Sequence, residues 1–176
     1  MAGNSSKRGR QTVRDMVLSM AAVGVVVVVA YFSIPGADGK GNGVHSVPYQ
    51  VELASAKRAA PYPLLGPQQL PDGWKATSVS YGPSEKSRAA WHLGLNTASG
   101  QYAAVEQADG SSEDVVERNV PGAEPDGTAT VAGQEWQRVQ GDRYRALVRP
   151  AGGTGTTVLA GTASYEELAQ LAETLE

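Results

Sequence analysis

The 176-residue sequence has no cysteine, two histidines and one phenylalanine. Without cysteine there is no disulfide, no thiol nucleophile and no thiolate ligand, so a folded domain must stand on its hydrophobic core alone. The two imidazoles, His45 and His92, lie far apart in the sequence, which removes the usual zinc and iron–sulfur patterns. Serines are plentiful, yet no G-x-S-x-G elbow occurs, so a serine hydrolase would need packaging that the sequence does not announce. The glycine-rich run at 152–156, GGTGT, lacks the lysine and following helix of a phosphate loop and reads as a hairpin turn. No metal, nucleotide or redox cofactor is expected.

Long apolar runs are scarce as well, with one exception. Residues 16–34, MVLSMAAVGVVVVVAYFSI, contain no charge. A helix of that length spans about 28 Å, close to the hydrocarbon thickness of a bilayer. Five consecutive valines are mediocre helix formers in water, but in lipid every backbone polar group must be satisfied within the segment. Lys7, Arg8, Arg10 and Arg14 precede the run, and the positive-inside rule then keeps residues 1–15 cytoplasmic and sends the rest outside. A cleaved signal peptide is the competing reading. Its apolar region is usually shorter, and Pro35 stands where its cleavage site wants a small residue. The reading adopted is a single-pass cell-membrane protein that contacts the lipid bilayer through residues 16–34.

The net charge of −3 conceals an asymmetry. Residues 1–15 hold four bases and one acid, which leaves eleven bases and seventeen acids, a net of −6, for the remainder. An acidic external portion is a poor match for nucleic acid, so no nucleic-acid partner is expected. Residues 35–43, PGADGKGNG, read as a flexible linker. Residues 44–176 form the external domain, of a size that supports one core.

Within that domain, residues 44–53 alternate loosely and suggest a first strand, interrupted by Pro48. Residues 61–73 hold four prolines and two glycines and must be an ordered loop. Alternation then marks strands at 74–81, 90–96 and 101–107, with a turn at 82–88 and a hairpin loop at 97–100. Residues 111–119 suit a short helix with acids in its first turn and a serine cap. Further strands follow at 127–132, 135–140, 144–149 and 156–161. Residues 164–175 close as a helix with a capping box at Ser164 and Glu167 and an apolar stripe of Leu168, Leu171, Ala172 and Leu175. The layout is α+β. It predicts an antiparallel sheet with two or so helices on one face, in two strand–strand–strand–helix halves starting at Trp74 and Thr128.

Candidate sites are few. Asp109, Glu113, Asp114 and Glu117 crowd one stretch, but they lack the ligand alternation of a calcium loop, and acids at a helix start have their own electrostatic reason. Trp74, Trp91, Tyr102, Trp136 and Tyr144 are candidates to line a carbohydrate or peptide groove, the alternative being sheet core and cross-strand pairs. His92 reads as a surface or edge histidine, with Trp91 and Leu93 pointing to the opposite face.

The stretches RDMVLSMAAVGVVVVV, YPLLGPQQLPDGWKATSVSY, AWHLGLNTASGQYAAVEQ and LAGTASYEELAQLAETL together resemble an uncharacterised actinobacterial family of single-pass membrane proteins carrying one external domain of unknown function. The resemblance implies a small α+β ectodomain on an anchor and supplies no activity, cofactor or catalytic residue. The closing strand, serine-capped turn and amphipathic helix are also similar in architecture to external domains of anti-sigma and envelope-sensing proteins, and fold analogy does not establish function. Three readings follow. The first is a non-enzymatic binding or scaffolding module of the cell envelope, with an envelope protein or a glycan as partner. The second is a sensor or regulatory partner in envelope signalling. The third is a glycan-active enzyme using two of the acids, which must then stand about 5–10 Å apart.

Overall fold

The computed structural model describes Met20 and residues 46–84 and 87–176. The expected membrane segment at 16–34 (Met20 apart), the linker at 35–43 and His45 lie outside the described residues. Among the described residues no helix is long and apolar enough to cross a membrane. All the elements below belong to the second of two units into which the chain divides, Val44–Glu176.

The first element is a helix, not a strand. Helix α1 spans Gln50–Ala59. The alternation Val47–Tyr49–Val51–Leu53 suggests a strand, but Val51 is 72% exposed. The buried positions are Tyr49, Leu53 and Ala56, with Ala60 packed against the same core. Spacings of four, three and four residues describe one face of a 3.6-residue helix. Lys57 and Arg58 occupy its last turn, where cations oppose the helix dipole.

Seven strands follow: β1 (Lys75–Ser84), β2 (Ser87–Asn96), β3 (Tyr102–Asp109), β4 (Glu124–Val131), β5 (Gln134–Gln140), β6 (Arg145–Gly152) and β7 (Gly155–Gly161). Two helices are interposed or appended, α2 (Ser112–Asn119) and α3 (Tyr165–Glu173). All seven strands form one antiparallel sheet in the order β1-β2-β3-β7-β6-β5-β4. The first meander has three strands and the second four. The two halves are therefore unequal, and they meet where β3 pairs with β7. The turn expected at 82–88 is narrower, because the ladder runs on to a Ser84–Ser87 pair.

The helices cover both faces, not one. Trp74, Trp91, Leu93, Leu95, Val105, Trp136, Leu147 and Leu159 pack on one face against Leu53 of α1 and Leu168, Leu171 and Ala172 of α3. On the other face Ala108, Ala146, Val148, Val158 and Ala160 pack against Val115 and Val120 at α2. This division follows from strand parity. In β3, Ala103 and Val105 face one way and Ala104, Glu106 and Ala108 the other. In β7 all seven residues are buried, as a central strand covered on both faces requires.

The starts of α2 and α3 carry their expected caps. The Ser111 hydroxyl accepts from Asp114 N–H, and at α3 Ser164 and Glu167 satisfy each other's backbone donors. The proline-rich loop before β1 is a strap across the larger core. Tyr62 is buried, and its hydroxyl proton is shared between the carbonyls of Ala89 and Gln107 at 3.1 and 3.0 Å. The Gln107 carboxamide accepts from Leu65 N–H at 2.9 Å and donates to the Leu65 carbonyl. Gly155 makes room for this strap, because a Cβ there would stand 2.8 Å from the Tyr62 ring.

Candidate functional site

On the α2 side, the short helix covers only the inner strands and leaves β1 and β2 open. The strand register explains what lies on that open floor. One row across the sheet reads Gly82, Ala90, Ala108 and a second reads Gly94, Ala104, Ala160. Between them runs a polar row, Ser80, His92, Glu106. Small residues on both sides of a polar row leave a trough. It holds a cavity of about 350 Å3 bounded by Ala90, His92, Glu106 and Ala108 and by Val115, Arg118 and Asn119 of α2. A second hollow of about 170 Å3 continues past Glu106 to Tyr102 and Tyr144, sharing Arg118 and Asn119.

Arg118 closes one end of the trough by donating to the Ser84 hydroxyl at 2.7 Å. At the other end the Tyr102 and Tyr144 rings stand 6.0 Å apart between centroids, tilted by 42°. Arg143 lies over the Tyr144 ring at 5.3 Å. Burial, with Glu106 adding to it, pushes the Tyr102 phenol up to about 12.

His92 and Glu106 of this row form, with Ser78 from opposite Gly94, a relay across three strands. Glu106 Oε1 on β3 stands 2.6 Å from His92 Nδ1 on β2, and His92 Nε2 stands 2.8 Å from Ser78 Oγ on β1. With the imidazole neutral, Nδ1–H donates to the carboxylate, which leaves Nε2 to accept from the serine hydroxyl. The hydrogen bond to Glu106 raises the His92 pKa above its ordinary value, partial burial opposing it. The side chains of His92 and Glu106 are 32% and 18% exposed, so the pair is screened from bulk water without being sealed from it.

Two backbone features make the relay possible. The ladder between β1 and β2 slips between Ala76 and Ser78, which inserts Thr77 as a bulge. Gly94 then supplies the space: a Cβ there would stand 2.4 Å from Ser78 Oγ, 3.2 Å from His92 Nε2 and 3.3 Å from Thr77 Oγ1. Three polar atoms thus converge over a residue with no side chain.

The aromatic set Trp74, Trp91, Tyr102, Trp136 and Tyr144 is not brought into one groove. Trp74, Trp91 and Trp136 are core residues on the α1–α3 side. Tyr102 and Tyr144 meet on the α2 side. His92 is not on an edge strand, since β2 runs between β1 and β3, and its partly exposed ring is held at both nitrogens. Glu113 and Asp114 sit in the first turn of α2, where Ser111 donates to Asp114 Oδ2 at 2.8 Å. Ser78 and Glu106 are the residues sequence reasoning missed. Their signal was the alternation of β1 and β3, which places them on His92's side once the register is known.

The model of a family described as "Protein of unknown function (DUF4245)" matches residues 8–175. A search of curated proteins finds no match.

Proposed function

This chain belongs to the DUF4245 family of proteins of unknown function, and we propose that it is a membrane-anchored external module of the cell envelope that binds its partner in the trough beside α2. The observation that carries this reading is the trough itself. A cavity of about 350 Å3 lies on the half of the sheet that α2 leaves open. Its neighbour presents two tyrosine rings, a guanidinium, a carboxamide and a carboxylate, a mixture suited to a glycan or a polar protein segment. The uncharged run at 16–34 and the basic residues before it support the anchor and its orientation. The alternative is a sensor or regulatory partner in envelope signalling, in which residues 1–15 recruit a cytoplasmic protein.

The absence of native cysteine makes the topology test direct. In intact cells a membrane-impermeant maleimide is expected to label a cysteine introduced at Ser112 and to spare one introduced at Ser5. The reverse pattern, or labelling of both, refutes the anchored orientation. For the binding surface, a photo-crosslinking residue replaces Asn119 in the full-length chain, with a control at Val51 on the other side of the domain. A discrete envelope protein or glycan adduct from position 119 alone is expected, and its loss in Tyr144→Ala ties it to the trough. Equal adducts from both positions, or none, reject the trough. A cytoplasmic regulator captured from residues 1–15 moves the reading to signalling.

A further inference from the structure

We propose that Ser78 is a nucleophile toward carboxylic esters, with His92 as its general base and Glu106 as the residue that positions His92. The inference rests on the relay's own geometry and stands or falls apart from the binding reading above.

Acyl transfer to a hydroxyl needs a base within hydrogen-bond reach of the nucleophile and a third group fixing the base's tautomer. Both contacts are present, at 2.8 and 2.6 Å, and in the required order: hydroxyl on Nε2, carboxylate on Nδ1. A merely cohesive cross-strand pair needs only the His92–Glu106 contact. The third member is brought in by the Thr77 bulge and by the absence of a side chain at Gly94. Ser78 is exposed, so an ester carbonyl reaches its oxygen from solvent, while the base and carboxylate behind it are shielded. The elevated proton affinity of His92 suits it to take the serine proton.

In the step, Ser78 Oγ attacks the ester carbonyl carbon as its proton passes to His92 Nε2. The tetrahedral intermediate carries its negative charge on the former carbonyl oxygen. The C–O bond to the alcohol then breaks, and the departing alkoxide takes the proton back from His92. Acyl-Ser78 and a free alcohol result. Water, deprotonated by the same imidazole, returns the serine and releases the carboxylic acid.

The test uses the full-length chain in detergent micelles and a fluorophosphonate probe, which forms an Oγ–P bond and expels fluoride while His92 takes the proton. One label per chain is expected, on the peptide carrying Ser78. Ser78→Ala abolishes it, His92→Ala slows it by roughly 100-fold or more, and Ser55→Ala on α1 leaves it unchanged. The wild-type rate rises with pH as His92 loses its proton. Glu106 from β3 touches that ring, and Arg118 from α2 is the other charged group lining the same trough among the described residues. Glu106→Gln removes the group that holds the proton on, so the midpoint of the rate profile moves to lower pH while the plateau falls. A structural pair would change neither. Circular dichroism establishes that each variant is folded. The wild-type experiment is decisive without them: no label, or a label on another hydroxyl, overturns the proposal. An unshifted midpoint in Glu106→Gln overturns the role given to Glu106.

Discussion

The guanidinium carbon of Arg138 stands 3.8 Å above the centre of the Tyr165 ring, while its Nη2 reaches Asp126 at 3.1 Å. One side chain thus ties β4, β5 and the first turn of α3, and the Tyr165 hydroxyl returns the tie by donating to the Val139 carbonyl at 2.9 Å. Arg138→Ala is expected to cost about 1 kcal/mol, because the stacked face and the partly exposed ion pair each contribute a fraction of that. Arg138→Lys recovers little, since an ammonium cannot both stack and reach a carboxylate as a planar fork does. Urea unfolding followed by tryptophan fluorescence reads both.

Gln107 carries a larger expected cost. Its carboxamide is the partner of both backbone polar groups of Leu65, inside the strap. Gln107→Ala strands them in a half-buried setting, and a loss of about 1–2 kcal/mol is expected. Limited proteolysis should then cut within residues 61–73 before any other site. A variant of wild-type stability with a protected strap would show that the loop is held by its prolines alone.

Ala132 holds φ at 49°, in a two-residue turn with Gly133 between β4 and β5. Left-handed backbone costs an L-residue with a Cβ about 1–2 kcal/mol, part of which glycine returns as extra freedom in the unfolded chain. Ala132→Asn, which tolerates this conformation, is therefore expected to stabilise by about 0.5–1 kcal/mol. The measurement is the urea midpoint at unchanged slope.

Among the groups that couple stability to pH, His92 and Asp109 act in opposite directions. His92 binds its proton more tightly folded than unfolded, mainly through the hydrogen bond to Glu106. Its contribution is complete below the ordinary value of 6.5 and is lost as pH rises through the higher folded value. Asp109 is held below its ordinary 3.8, first by the Ser87 hydroxyl and then by backbone N–H groups. Its contribution is complete above that value and is lost as pH falls through the lower folded one. Stability is thus expected to decline at both ends, and Glu106→Gln should flatten the upper limb alone. Denaturant unfolding between acid and mildly alkaline pH decides it.

Much of the sheet was legible because strands with one buried face alternate visibly, and both capped helices carried their serine at the right position. The misread element was α1, where Val51 happened to extend an alternation that Tyr49, Leu53 and Ala56 satisfy helically. The relay was hidden by register. Strands ending at Asn96 and beginning at Gln101 imply a four-residue loop, which would set Asn96 opposite Gln101. The loop takes one residue more, the Thr97 hydroxyl accepts from Gln101 N–H, and Asn96 pairs with Tyr102. That single step sets Glu106 directly opposite His92, and no alternation rule supplies it. Ser78 was hidden again by the bulge at Thr77, which a strand pattern cannot show.

The pairing of β3 with β7 has a kinetic consequence. Every other pair in the sheet joins neighbours in sequence across a short turn, so each meander can zip from its own hairpins. The seam alone requires the chain from Asp109 to Gly155 to be closed first. Loop-closure entropy is met there before any seam contact repays it, which makes docking of the two meanders the slow step of folding. Val105→Ala and Leu159→Ala, on facing strands of that seam, should then slow refolding, whereas changes at the Ala132 turn should act mainly on the rate of unfolding.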